Sequence, residues 1–182
     1  PSVLETTDNE LLTRTGPDTD MGRYFRCFWM PIALSRELPE CDGAPIKVKV
    51  LGENLIAFRA TDGRVGLVEP TCPHRGANLF FGRNEDCAIR CIYHGWKFDL
   101  SGLVTSVPDE EDFAESPCGK ARLKEVQCEE RFGFIWYNFD PDADSLASFL
   151  GESITRELES HRIEDMLRVL DMTAETRCNW KI

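Results

Sequence analysis

The sequence predicts an all-β fold, and three observations support that prediction. Residues 46–50 (IKVKV) alternate apolar and charged side chains, as a half-buried strand does. Asp62-Gly63 is a hairpin turn signal with apolar segments on both sides. Residues 120–129 and 133–139 supply two further strands before Asp140-Pro141-Asp142 ends the region. Short strands joined by tight turns are typical of an antiparallel β domain.

The chain begins with a polar segment at residues 1–20, for which we predict a loose arm or a single helical turn. Residues 25–34 are rich in apolar and aromatic side chains. Pro31 lies within them and favours an edge strand or a β-bulge, because proline cannot donate to a ladder. Phe28 and Trp29 are predicted to pack in the core.

A meander follows. Residues 46–50, 55–59 and 64–68 are predicted to form three successive strands, and the third leads directly to Cys72. Rigid strands that end at a loop hold that loop's side chains in place. The pattern therefore predicts that Cys72 lies on a well-supported loop.

The next segment contains a second loop of the same kind. Residues 77–81 are short and apolar and predict one helical turn. Residues 88–90 form a strand that leads into Cys91, and residues 96–99 lead out of the loop towards a turn at Ser101-Gly102. Two hairpin-like loops are thus expected to meet.

The remaining chain mixes loop, helix and strand signals. Residues 107–119 are rich in Pro, Glu and Asp and predict a surface loop. Apolar side chains recur every four residues from 146 to 158 and predict one or two short helices that Gly151 interrupts. Residues 170–175 alternate and predict one more strand.

Composition excludes some functions. The 182 residues are 42% hydrophobic, so a packed core is possible. There are 32 Asp and Glu residues against 21 Lys and Arg, a formal charge of −11, which argues against nucleic-acid binding. An acidic surface could favour a basic redox partner, but a charge excess is more often a solvated face. No apolar stretch is long enough to cross a bilayer.

The chain has eight cysteines, an even number that could form disulfides in a secreted protein. No basic start followed by an apolar run is present, so we expect a reducing cytoplasm and free thiols.

Two motifs carry the chemistry. Cys72-Pro73-His74 and Cys91-Ile92-Tyr93-His94 each offer a thiolate and an imidazole, and sixteen residues separate His74 from Cys91. Two cysteines and two histidines can bind one tetrahedral zinc ion. They can also hold a [2Fe–2S] cluster, with both thiolates on one iron and both imidazoles on the other. Cys87 is the competing thiol nearby, but a site that used it would leave His94 idle.

These loops resemble those of Rieske proteins. Cys-x-His-Arg-Gly-Ala, starting at Cys72, and Cys-x-Tyr-His-Gly-Trp, starting at Cys91, are most similar to the bacterial ring-hydroxylating oxygenases, in particular the phthalate dioxygenase branch. The similarity extends from about residue 21 to the end of the chain. It implies a Rieske [2Fe-2S] antiparallel β-sandwich with the cluster loops at one end, and it implies that Cys72, His74, Cys91 and His94 are the cluster ligands.

The resemblance also implies a function. In this family an NAD(P)H-dependent flavin/iron–sulfur reductase or a ferredoxin reduces the cluster. The electron then passes to a mononuclear Fe(II) in a neighbouring subunit of a trimer, which activates O2 and hydroxylates an aromatic or similar substrate. The two-histidine, one-carboxylate iron site needs two further histidines, and only His161 remains here. We expect no catalytic residues in this chain.

Domain boundaries follow from this resemblance. We predict an arm at residues 1–20, the Rieske domain at 21–140, and linker helices with the start of a truncated catalytic domain at 141–182. Asn179-Trp180-Lys181 resembles the opening of that catalytic domain. The alternative function is a self-contained Rieske ferredoxin, an electron carrier that has no need of the region after Asp140.

Overall fold

The computed structural model of the chain describes residues 5–124, 126–167, 169–170 and 172–178. Two helices lie near the amino end: α1, Thr6–Thr13, and α2, Asp20–Phe25. The prediction of a loose arm or a single turn is therefore wrong, since α1 spans eight residues. The sequence of α1 has no apolar stripe to indicate a helix, and in the structure α1 buries no side chain. The Thr19 hydroxyl caps α2 by accepting from the Gly22 N–H.

The described residues form ten strands in three antiparallel sheets, which confirms the predicted all-β class. The strands are β1 Met30–Leu34, β2 Ile46–Val50, β3 Glu53–Arg59, β4 Val65–Val68, β5 Arg83–Glu85, β6 Ala88–Arg90, β7 Lys97–Asp99, β8 Val104–Ser106, β9 Gln127–Arg131 and β10 Phe134–Asn138. The sheet orders are β1-β10-β9, β2-β3-β4 and β5-β6-β7-β8. The predicted meander is the second of these sheets.

β3 explains how the core is divided. Successive side chains on a strand point to opposite faces. Leu55 and Ala57 accordingly join the apolar cluster that includes β10, whereas Ile56 and Phe58 join the cluster that includes the sheet of β5–β8. All four side chains are buried. The second cluster continues into the two loops that carry the predicted ligands.

The first and last parts of the chain pack together. β1 pairs with β10, and its register shifts between Pro31 and Ala33, which confirms the predicted bulge. A third apolar cluster joins Trp29 and Trp136 to Leu146 and Leu150 of the last helix, α3, Leu146–His161. Trp29 is buried as predicted, whereas Phe28 is only half-buried.

Two further expectations concern the region after residue 100. Residues 107–119 form a surface loop containing one 3-10 turn, Glu110–Asp112, as predicted. Gly151 has φ 67° and ψ 173°, which interrupts α3 at the predicted place.

The strand predicted at 170–175 does not form among the described residues of that segment. Leu170 and Met172 are 71% and 79% exposed. An alternating pattern gives a strand only where a neighbouring strand satisfies its backbone groups, and none lies beside this segment in the described structure. Asn179-Trp180-Lys181 lies outside the described residues. No helix in the described ranges has the length and apolar character needed to span a membrane.

Candidate metal centre

Residues 72–77 (loop 1) and 91–96 (loop 2) are two copies of the same turn. In loop 1 the Cys72 N–H donates to the Ala77 carbonyl at 2.9 Å; in loop 2 the Cys91 N–H donates to the Trp96 carbonyl at 2.8 Å. The glycine N–H in each loop returns to the cysteine carbonyl, at 2.9 Å for Gly76 and 3.0 Å for Gly95. Both glycines have positive φ, 71° and 74°, a conformation that glycine adopts without steric cost.

The two predicted thiol ligands lie together in the apolar interior. Cys72 and Cys91 are 2% and 3% exposed. Burial raises the pKa of the Cys72 thiol, and the adjacent Cys91 sulfur raises it further, whereas hydrogen bonds from the backbone amides of His74 and Arg75 lower it. Those amides stabilise negative charge on the sulfur. The two loops therefore bring both sulfurs together, and loop 1 supplies backbone donors to the Cys72 sulfur.

The two predicted imidazole ligands also lie side by side. The ring centroids of His74 and His94 are 4.6 Å apart. His74 is half-buried, and its Nδ1 is buried without a hydrogen-bond partner in the described structure. Burial, together with the nearby His94 and Arg75, lowers the pKa of His74, so the neutral ring, the form that binds metals, is favoured.

An aromatic side chain lies against each imidazole. The rings of His74 and Trp96 are stacked, with centroids 4.8 Å apart and planes at 4°. His94 is exposed and lies against Tyr93, at 3.8 Å and 35°. Neither contact was predicted from the sequence, although both aromatic residues stand inside the second motif, where a ring contact would have been worth considering.

The donor set fits a cofactor with two metal ions. A buried thiol pair adjoins an imidazole pair, and the orphaned Nδ1 of His74 offers a lone pair with nothing to bind. Within the described ranges, no group of three or more His, Cys, Asp or Glu side chains is arranged to hold one metal ion. Two pairs suit two irons with two protein ligands each, whereas a zinc site needs four ligands around one point.

The remaining candidates lie elsewhere. Cys87 is in the turn at the other end of β6 from Cys91, and its N–H donates to the Thr61 hydroxyl. His161, on α3, is exposed and lies 3.2 Å from the Glu157 carboxylate.

An open cavity of about 580 Å³ adjoins the exposed histidine. Its lining includes His94, Ile92, Phe81, Arg83 and Arg90. Ile92 and Phe81 are 71% and 63% exposed. Exposed apolar side chains beside arginines are common where proteins associate.

With this geometry in place, the comparison with protein families is decisive. Residues 28–127 match the model of the Rieske [2Fe-2S] domain. The chain belongs to this family. The match covers both loops and strands β1 to β8 and ends at the first residue of β9, so the Rieske fold accounts for most of the described architecture.

Curated relatives extend the similarity beyond that domain. The chain is 36% identical over 98% of its length to the phthalate 4,5-dioxygenase oxygenase subunit of Pseudomonas putida. It is 36% identical over 96% of its length to the tert-butanol monooxygenase / tert-amyl alcohol desaturase oxygenase subunit of Aquincola tertiaricarbonis. It spans 38% and 34% of the lengths of these two proteins.

Solved structures agree on the fold. The NdmA QL mutant of Pseudomonas putida CBB5 with theobromine superposes with a TM-score of 0.58 and 32% identity, covering 67% of this chain and 36% of that one. A quaternary ammonium Rieske monooxygenase superposes with a TM-score of 0.66 and 25% identity, covering 86% of this chain and 44% of that one. The predicted Rieske fold is confirmed.

Proposed function

We propose that Cys72 and Cys91 bind one iron of a [2Fe–2S] cluster, and that His74 and His94 bind the other. The observation that carries this proposal is the pairing of two buried thiols with two adjacent imidazoles on loops of equal geometry. Such a cluster accepts and releases one electron, and its two neutral imidazoles raise the reduction potential above that of a four-cysteine cluster.

The surrounding residues support this role in distinct ways. The buried position of Cys72 and Cys91 excludes water from the sulfur side. The backbone amides of His74 and Arg75 donate to the Cys72 sulfur and stabilise its charge. His94 is exposed, so its ring edge is the accessible side of the site and the natural route for an electron to a partner.

For the whole protein, we propose the terminal oxygenase component of an aromatic-ring-hydroxylating oxygenase. The similarity to oxygenase subunits over nearly all of the chain supports this assignment. The mononuclear iron that activates O2 would lie outside these 182 residues, in the catalytic part that relatives of greater length contain. An NAD(P)H-dependent reductase or a ferredoxin would supply electrons to a cytoplasmic homotrimer.

The proposed division of the chain is an arm at residues 1–20, the Rieske domain at 21–140, and a linker with the start of a catalytic domain at 141–182. The ferredoxin alternative would need no similarity to oxygenases after residue 140. The alignment to the phthalate 4,5-dioxygenase subunit covers 98% of this chain and so includes most of that region, which favours the oxygenase component.

Ligand variants test the proposed site. After reconstitution with iron and sulfide, the chain should show the visible absorption and EPR signal of a Rieske cluster. His74→Ala or His94→Ala should abolish both signals, because each would leave an iron with an open position. Cys87→Ser is the matched control and should retain them. Loss of the signals in Cys87→Ser with retention in either histidine variant would overturn the ligand assignment.

A turnover assay tests whether the chain transfers electrons without hydroxylating a substrate. Reduced by its reductase and NADH or NADPH, the reconstituted chain should take up one electron per cluster and reoxidise in O2. It should form no product from a panel of aromatic acids, since His161 is its only histidine outside the cluster site. Substrate-dependent hydroxylation by these 182 residues alone would contradict the proposal.

A further inference from the structure

The two imidazoles of the candidate site are restrained unequally. The His74 ring, from loop 1, lies flat against the Trp96 indole, from loop 2, with planes only 4° apart. Trp96 itself is 8% exposed, belongs to the apolar cluster that contains Cys72 and Cys91, and lies edge-on to Phe113 at 6.2 Å. His94 lies beside His74 and Tyr93, but neither contact is a parallel stack, and Tyr93 is 62% exposed.

The stack is the visible restraint on the His74 ring. Its Nδ1 is buried yet has no hydrogen-bond partner in the described structure, so that nitrogen does not fix the ring orientation. In metal sites, groups behind the ligands usually orient them, and the loss of such a group typically weakens metal binding by about 10- to 100-fold. A buried indole in parallel contact can provide the same orientation through packing.

Resting on the proposed function, we propose that Trp96 is a positioning residue: its indole holds the His74 imidazole in the orientation that binds the cluster. Because His74 and Trp96 come from different loops, the same contact also fixes the two loops relative to each other. The ring of His74 would then be set before the cluster arrives, whereas the ring of His94 would be ordered mainly by binding.

A matched pair of substitutions separates stacking from filling of the core. Trp96→Phe and Trp96→Met introduce apolar side chains of similar volume, but only phenylalanine offers a flat ring to the imidazole. We expect Trp96→Met to lose the reconstituted cluster to a chelator at least about tenfold faster than wild type and to shift its EPR g-values. Trp96→Phe should restore most of the retention. Phe113→Leu, which alters the far edge of Trp96 and not His74, should behave as wild type.

A measurement without the cluster keeps the two proposals separate. In the cluster-free wild-type chain, NMR should show the His74 ring protons shifted upfield by the indole ring current, and Trp96→Met should remove that shift. Circular dichroism checks that each variant folds. Equal cluster retention in folded Trp96→Met and Trp96→Phe, or no ring-current shift in wild type, would overturn the role of Trp96. Failure of the wild-type chain to bind any cluster, with the shift present, would instead overturn the proposed function.

Discussion

Loop 1 and loop 2 share one backbone design but differ in their surroundings. Each has a cysteine N–H bonded across the turn and a glycine with φ near 70° returning to the cysteine carbonyl. Around that common frame, loop 1 is open at its glycine, whereas loop 2 is packed against Pro108 and Arg90. Loop 2 also supplies the indole behind the loop 1 histidine. The comparison indicates that the two loops repeat one backbone hydrogen-bond pattern, whereas loop 2 provides most of the packing around the site.

The largest expected contrast concerns the two aromatic residues of loop 2. Trp96 is 8% exposed and Tyr93 is 62% exposed. Trp96→Ala should lower the free energy of unfolding of the cluster-free chain by about 3–5 kcal/mol, since it removes a buried indole. Tyr93→Ala should change it by no more than about 0.5 kcal/mol. Urea denaturation followed by circular dichroism measures both. Similar losses in the two variants would show that the indole contributes little packing.

The next largest contrast is the stability lost when the glycine of each loop, Gly76 or Gly95, is replaced by alanine. No described atom would lie within 4 Å of a Cβ on Gly76, whereas a Cβ on Gly95 would lie 2.9 Å from Pro108 Cγ and 3.3 Å from the Arg90 guanidinium. Both alanine variants should lose about 1–2 kcal/mol, because both positions are left-handed. Gly95→Ala should lose about 1–3 kcal/mol more through overpacking. Denaturation midpoints at equal m-values test this, and the double variant Gly95→Ala/Pro108→Ala should recover part of the excess.

The sequence predicted the sheets better than their surroundings. Alternation at 46–50 and the Asp62-Gly63 turn signal were sufficient for the meander, because β-strand periodicity and turn chemistry are local. Helix α1 was missed because it buries no side chain, and the strand at 170–175 was wrong because a strand needs a partner that local pattern does not report.

At the candidate site too, local sequence predicted some features, and others depend on tertiary contacts. The four predicted ligands could be named from spacing and resemblance, and the structure brings their side chains together in two pairs. The stack of His74 on Trp96 joins residues on different loops, so it depends on how the loops meet in space. No local pattern encodes that contact, and the same is true of the packing of Gly95 against Pro108.

The smallest expected effect concerns the stems of the two loops, the residues directly before and after each loop. The stems of loop 1 are joined through backbone, by the bridge between Thr71 and Asn78 and by the Leu79 N–H to the Pro70 carbonyl at 2.7 Å. The stems of loop 2 are also paired through backbone, Arg90 of β6 with Lys97 of β7, but they are joined in addition through charge. Arg90, directly before loop 2, and Lys97, directly after it, each lie 3.2 Å from the Glu85 carboxylate. Acid should therefore loosen loop 2 and spare loop 1.

Glu85→Gln tests this last difference. A hydrogen bond from Lys97, the largest effect, holds the pKa of Glu85 below its ordinary value of 4.5 against the opposing effect of burial, and a hydrogen bond from Arg90 lowers it further. The carboxylate therefore stabilises the fold fully above pH 4.5, and its contribution is lost as the pH falls through the lowered pKa. At pH 7 and low salt, Glu85→Gln should melt slightly below wild type, with a smaller difference at high salt, because partly exposed ion pairs are screened. At a pH low enough to protonate Glu85, the two melting temperatures should converge.

Glu111→Gln, on the exposed loop at 107–119, is the control and should match wild type at both pH values. A difference that persists in acid would mean that Glu85 acts through packing, and the contrast between the two loop stems would no longer be one of charge.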